Sequence, residues 1–149
     1  MPLLEKISED MKIAMKKGDK TRLETLRMIR AGLLEKVVEK RPSGGMTADD
    51  EIAVLNSAAK KRKESIEVYR KSGREDLAVQ EEKELAIVQE YLPKQMTPEE
   101  VELYIKKVIN ETSASGQKDF GRVMPIVMKE LKGKTDGKLV QELVKKLLG

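Results

Sequence analysis

The sequence has no histidine, no cysteine and no tryptophan among its 149 residues. Histidine is the usual general base and metal ligand near neutral pH, and cysteine supplies thiolate nucleophiles and zinc ligands. Their absence excludes Ser-His-Asp and Cys-His catalysis, zinc fingers and histidine-held metals. An enzyme built from this chain would have to use carboxylates, lysines, tyrosines, hydroxyls or a bound cofactor. No residue stands out as catalytic, and neither a metal nor a cofactor is expected. Aromatic residues are scarce, limited to Tyr69, Tyr91, Tyr104 and Phe120. No apolar run approaches the roughly 20 residues of a membrane span. The opening Met1-Pro2-Leu3-Leu4-Glu5 lacks the basic start and apolar stretch of a signal peptide, so the expected location is cytoplasmic, with no membrane partner.

What the chain does have is charge. Thirty Lys and Arg stand against 26 Asp and Glu, a formal net charge of +4. Residues 1–93 hold 19 basic and 18 acidic side chains, net +1, and residues 94–149 hold 11 and 8, net +3. The last third is therefore the candidate anion-binding part, although a surplus of this size also suits an ordinary solvated surface.

Apolar spacing is helical almost throughout. Leu4, Ile7, Met11 and Ala14 form one stripe that ends at Gly18. Asp19 or Thr21 then caps a second helix reaching about Arg41, broken by Pro42-Ser43-Gly44-Gly45. Thr47 followed by Ala48-Asp49-Asp50 reads as an N-cap with acids in the first turn, opening a third helix to Lys71, since carboxylates favour a helix N-terminus. A fourth helix runs from Arg74 or Glu75 to Tyr91 and stops at Pro93. The segment Leu92-Pro93-Lys94-Gln95-Met96-Thr97-Pro98 favours extended backbone, which places a domain junction there. Beyond it, Thr97-Pro98-Glu99-Glu100 is a capping box with proline at the first helical position, starting a fifth helix to about Thr112. A sixth covers Asp119 to Leu131, with Pro125 expected to bend it or shift its start, and a seventh follows Gly137. The expectation is an all-α protein with a four-helix domain over 1–93 and a smaller three-helix domain over 94–149.

Several charges fall on apolar faces. At 100° per residue, Arg30 sits at the centre of the stripe Leu23, Leu26, Leu33, Leu34 and Val37, with Arg27 at its edge. Arg62 lies within Ile52, Leu55, Ala59, Ile66 and Tyr69; Glu81 lies among Leu77, Leu85, Val88 and Leu92, with Glu84 at the margin. An unpaired buried charge costs several kcal/mol, so Arg30 or Arg62 is expected to meet Glu81 in an interior ion network. A pocket for an anion such as phosphate is the functional alternative. In the last third, Lys118, Arg122, Lys129, Lys132, Lys134 and Lys138 crowd around two glycine-containing turns and the start of the seventh helix, a setting that suits nucleic-acid phosphates. No aromatic is interleaved with them, so binding would read the backbone rather than stack on bases. Lys132-Gly133-Lys134 is not a P-loop, because it lacks the earlier glycine and the preceding strand.

The order of segments carries a resemblance. Leu26-Arg27-Met28-Ile29-Arg30, Lys63-Glu64-Ser65-Ile66-Glu67-Val68-Tyr69, Gly73-Arg74-Glu75-Asp76-Leu77-Ala78, Glu84 and Glu90-Tyr91-Leu92-Pro93 come first. Phe120-Gly121-Arg122-Val123-Met124 and Lys132-Gly133-Lys134-Thr135-Asp136-Gly137-Lys138-Leu139-Val140 follow. Together they resemble the GatB/YqeY family over nearly the whole chain. The resemblance implies an N-terminal helical domain followed by a domain like the tail of the GatB component of the tRNA-dependent amidotransferase, which helps hold the tRNA. It also implies tRNA or another structured RNA as partner, with amidotransferase subunits as a further possibility. The family label of carbon-nitrogen ligase with glutamine as amide donor is not adopted, since the larger catalytic domain of the GatB component has no counterpart here. Pro125 departs from the motif around it.

Overall fold

The computed structural model describes residues 2–149, and the regular structure among them is helical. Seven α-helices follow in order: α1 (Leu3–Lys17), α2 (Lys20–Lys40), α3 (Ala48–Lys71), α4 (Glu75–Gln89), α5 (Pro98–Glu111), α6 (Phe120–Leu131) and α7 (Gly137–Leu148). Their ends are written locally. Gly18 adopts φ +72°, where a side chain would strain, and closes α1. The Asp19 carboxylate accepts from the Arg22 N–H at 3.1 Å to open α2. Thr47 and Asp50 exchange bonds in a capping box at α3. Thr97 accepts from the Glu100 N–H with Pro98 as the first residue of α5.

The helices divide into two compact units, the first ending at Leu92 and the second running Pro93–Gly149. The first unit closes over Ile7 of α1, Leu26, Ile29 and Leu33 of α2, Leu55 and Ala59 of α3, Ile87 and Val88 of α4, and Leu92. Each large side chain buried there contributes about 1.5–3 kcal/mol of transfer free energy. Leu34, placed by spacing on the inner stripe of α2, is instead 38% exposed. Met28 and Val38 of the same helix are also exposed, so α2 carries apolar side chains outside the face that packs.

The second unit has a three-sided core. Val101, Ile105 and Val108 come from α5, Val123, Val127 and Leu131 from α6, and Val140, Val144 and Leu148 from α7, each set at i, i+3/i+4 spacing. The segment between the prolines is held to this unit. The Gln95 side-chain amide donates to the carbonyls of Pro93 (2.8 Å) and Gly133 (2.6 Å), and the Met96 N–H donates to Lys134 O at 2.8 Å. α6 runs on through Pro125, whose ring lies on the exposed side while Val123 and Val127 are buried. A 3-10 turn, Gln117–Asp119, precedes it.

Candidate functional site

Of the two arginines that the wheel turns inward, Arg62 of α3 is the buried one, only 4% exposed. Its carboxylate partner is Glu84 of α4, at 3.7 Å, and not Glu81. The two acids are three residues apart on one face of α4; a wheel gives a side chain's direction but not how far α3 is shifted along α4. The Arg62 guanidinium also donates to Ala58 O at 3.0 Å and to the thioether of Met28 at 3.5 Å, while its Nε has no partner. Burial pushes the Glu84 carboxyl above its ordinary range, the nearby charges of Glu81 and Glu24 add to that, and Arg62 opposes it. Arg30 does not join this pair. It is half-buried and donates from Nε to Ser8 Oγ of α1 at 3.3 Å. The predicted triad is therefore divided, with Arg62 bracing α3 on α4 and Arg30 bracing α2 on α1. No trio of His, Cys, Asp or Glu side chains that could hold a metal ion occurs among the described residues.

A second polar constellation was not singled out from the sequence, although two of its residues, Glu90 and Tyr91, lie in the Glu90-Tyr91-Leu92-Pro93 segment. The Tyr91 hydroxyl donates to Asp10 of α1 at 2.5 Å, and Arg22 of α2 donates to Glu90 at 2.8 Å. Lys6 stands 5.5 Å from the centre of the Tyr91 ring. Leu92, next in sequence, is buried in the core. Three consecutive residues thus fasten the end of α4 to α1, to α2 and to the interior, beside a cleft of about 400 Å³. Burial and the Asp10 bond push the Tyr91 phenol well above the ordinary tyrosine pKa. Tyr91→Phe is expected to cost about 1.5–3 kcal/mol, the worth of a hydrogen bond to a charged acceptor, read as a lower denaturation midpoint with an unchanged slope. A midpoint equal to wild type would leave the clasp without energetic weight.

The basic residues of the second unit are sorted by its helices. Residues 113–149, holding α6 and α7, carry eight basic and four acidic side chains, net +4, whereas 94–112 carry three and four, net −1. α6 and α7 are antiparallel neighbours: Gly137 at the start of α7 lies beside Met128, and Lys145 near its end stands 5.8 Å from the Phe120 ring centre. The six candidate cations consequently do not form one cluster. Lys118 and Arg122 lie at one end of α6, with Lys145. Lys129, Lys132, Lys134 and Lys138 lie at the other, and the step from Arg122 to Lys129 is two helical turns, about 10 Å.

Not all of these cations are equally available. Arg122 donates to the Thr112 carbonyl at the end of α5 (2.9 Å) and pairs with Asp119 at 3.3 Å, so it closes the α5–α6 connection. The Ser115 N–H and then Arg122 hold the Asp119 carboxyl below its ordinary pKa. Lys134 pairs with Glu130 at 3.8 Å. Lys118, Lys129 and Lys138 are exposed, with no ion pair within 4 Å among the described residues. The start of α7 is not an open anion site, because the Asp136 carboxylate already accepts from the Lys138 N–H at 3.0 Å and brings its own negative charge.

A family model described as Yqey-like protein matches residues 4–148. Altered inheritance of mitochondria protein 41, mitochondrial, of Pyrenophora tritici-repentis is 29% identical over 150 residues, covering 99% of this chain and 81% of that protein. The protein of the same name from Vanderwaltozyma polyspora is 31% identical over 110 residues, 70% of this chain and 57% of that one. The E-type component of the glutamyl-tRNA(Gln) amidotransferase of Methanosarcina barkeri is 44% identical over 55 residues, 34% of this chain but 9% of that protein. No helix among the described residues is long and apolar enough to cross a membrane.

Proposed function

The chain belongs to the Yqey-like protein family, and from that premise we propose that it is a non-catalytic module that binds tRNA or another structured RNA in the service of tRNA-dependent amidation or translation. The observation that carries the reading is the placement of charge: the basic surplus of the second unit falls on α6 and α7, while the segment holding α5 is slightly acidic. A positive surface whose nearest ring, Phe120 beside Lys145, is packed against the core is suited to phosphates more than to bases. The partial likeness to a component of a glutamyl-tRNA(Gln) amidotransferase supports the same class of partner, met in the E-type component where the sequence resemblance implied the GatB type. In this reading 1–93 and 94–149 are separately folding domains, the location is cytoplasmic, and carbon-nitrogen ligation is left to other proteins. A protein-protein adaptor of the amidotransferase or another translation factor is the second reading, favoured by the exposed Met28, Leu34 and Val38 on α2.

The test is a titration against tRNA, duplex DNA and a neutral polymer across a salt series. The protein is expected to bind tRNA with an affinity that falls steeply with salt. Replacing Lys118, Lys129, Lys132 and Lys138 together by alanine is expected to weaken binding on the order of 10²-fold at physiological salt and to flatten the slope of log affinity against log salt by about 3. Absence of binding at low salt would reject the RNA reading in favour of the adaptor.

A further inference from the structure

The exposed face of α6 has an unusual construction. Gly121, Arg122, Pro125 and Lys129 are all exposed and fall within about 100° of the helix circumference, with Lys118 in the turn just before. Pro125 is the sixth residue of the helix and has no N–H, so the Gly121 carbonyl, four residues earlier, is denied the donor that every regular helical position supplies. The same proline ring crowds that carbonyl. Gly121 is exposed, and a Cβ built there meets nothing within 4 Å, so the space outside the helix at this point is open. The result is a carbonyl without its helical donor on an exposed residue, with lone-pair capacity left for an outside donor despite the ring beside it. Cations flank it, as does Ile126, which is 43% exposed.

Resting on the RNA-binding reading above, we propose that this face receives the sugar-phosphate backbone of RNA, with the Gly121 carbonyl accepting a hydrogen bond from a ribose 2′-hydroxyl. Lys118 and Lys129 meet the phosphates on either side, and the glycine lets the strand approach the helix backbone. The device distinguishes RNA from DNA without reading a base, because the 2′-hydroxyl is the group that differs. It also accounts for a proline inside a helix that would be more stable without one.

The experiment compares three hairpins of one sequence: RNA, its 2′-O-methyl form and its 2′-deoxy form. The 2′-O-methyl hairpin keeps the A-form shape and loses the donor, so it separates the hydrogen bond from helix geometry. Wild type is expected to bind the RNA about threefold to tenfold tighter than the 2′-O-methyl hairpin, the range set by one net hydrogen bond. Pro125→Ala restores the N–H to Gly121, and the ratio is expected to fall to about one through weaker RNA binding. The salt slope should stay unchanged, and the melting temperature no lower than wild type. Equal affinity of wild type for the two hairpins, or a ratio untouched by Pro125→Ala, overturns the proposal while leaving the RNA reading intact. Failure to bind any of the three overturns the RNA reading itself and this proposal with it.

Discussion

Replacing Arg62 by alanine is expected to destabilise the first unit by about 3–5 kcal/mol, because removing one partner of a buried pair leaves the other poorly compensated and opens a void. The arginine is 4% exposed and its guanidinium is held by Glu84, the Ala58 carbonyl and Met28. The effect should depend on pH with a definite sign. The Glu84 carboxyl already sits above its ordinary range through burial and the charges of Glu81 and Glu24, and Arg62 is the influence that lowers it. Without Arg62 only the raising influences remain. A carboxyl whose folded pKa exceeds its unfolded one weakens folding at pH values above that folded pKa and ceases to do so below the unfolded one. The deficit of Arg62→Ala is therefore greatest near pH 7 and shrinks as pH falls toward the ordinary glutamate value of about 4.3. Urea titrations at several pH values measure it. Arg62→Met combined with Glu84→Gln should recover most of the loss, since volume is refilled and no charge is left inside. An Arg62→Ala protein melting within about 2 °C of wild type would remove the pair from the account of this fold.

The second large effect is expected in the smaller unit. Pro93–Gly149 comprises 57 residues, a size at which a single core supplies only about 3–5 kcal/mol of stability. Its centre is Ile105 of α5, fully buried among Val101, Val127, Val144 and their neighbours. Truncating a buried isoleucine to alanine costs about 2–5 kcal/mol, which takes most of what the unit has. Ile105→Ala is thus expected to unfold Pro93–Gly149 at 37 °C while amide signals from α1 to α4 keep their dispersion in a heteronuclear NMR spectrum. RNA affinity should disappear with it. Loss of both sets of signals together would contradict separate folding, and retention of both would mean that the smaller core has more in reserve than its size allows.

Much of the fold was legible because its determinants are local. Gly18, Asp19, Thr47 and the Thr97-Pro98-Glu99-Glu100 box act on backbone groups within a few residues of themselves, so helix limits could be read to within a residue or two. The candidate site was legible only in kind. That an arginine of α3 would be buried followed from spacing; that it would meet Glu84 depended on how far one helix is displaced along another, which the α3–α4 packing fixes. Asp10 and Tyr91 are 81 positions apart, and no pattern in the chain announces their bond.

By itself, then, the sequence determined the helices, their caps, the absence of histidine and cysteine chemistry, and the side of the chain on which positive charge accumulates. Those properties depend on neighbours along the chain or on composition. Only the tertiary structure decided that the six candidate cations divide between the two ends of α6, that Arg122 serves the end of α5, and that Asp136 occupies the start of α7. It also left Gly121, whose carbonyl Pro125 deprives of its helical donor, exposed. Charge counts carry no positions; antiparallel packing of α6 on α7 assigns them, and with them the surface that a partner could meet.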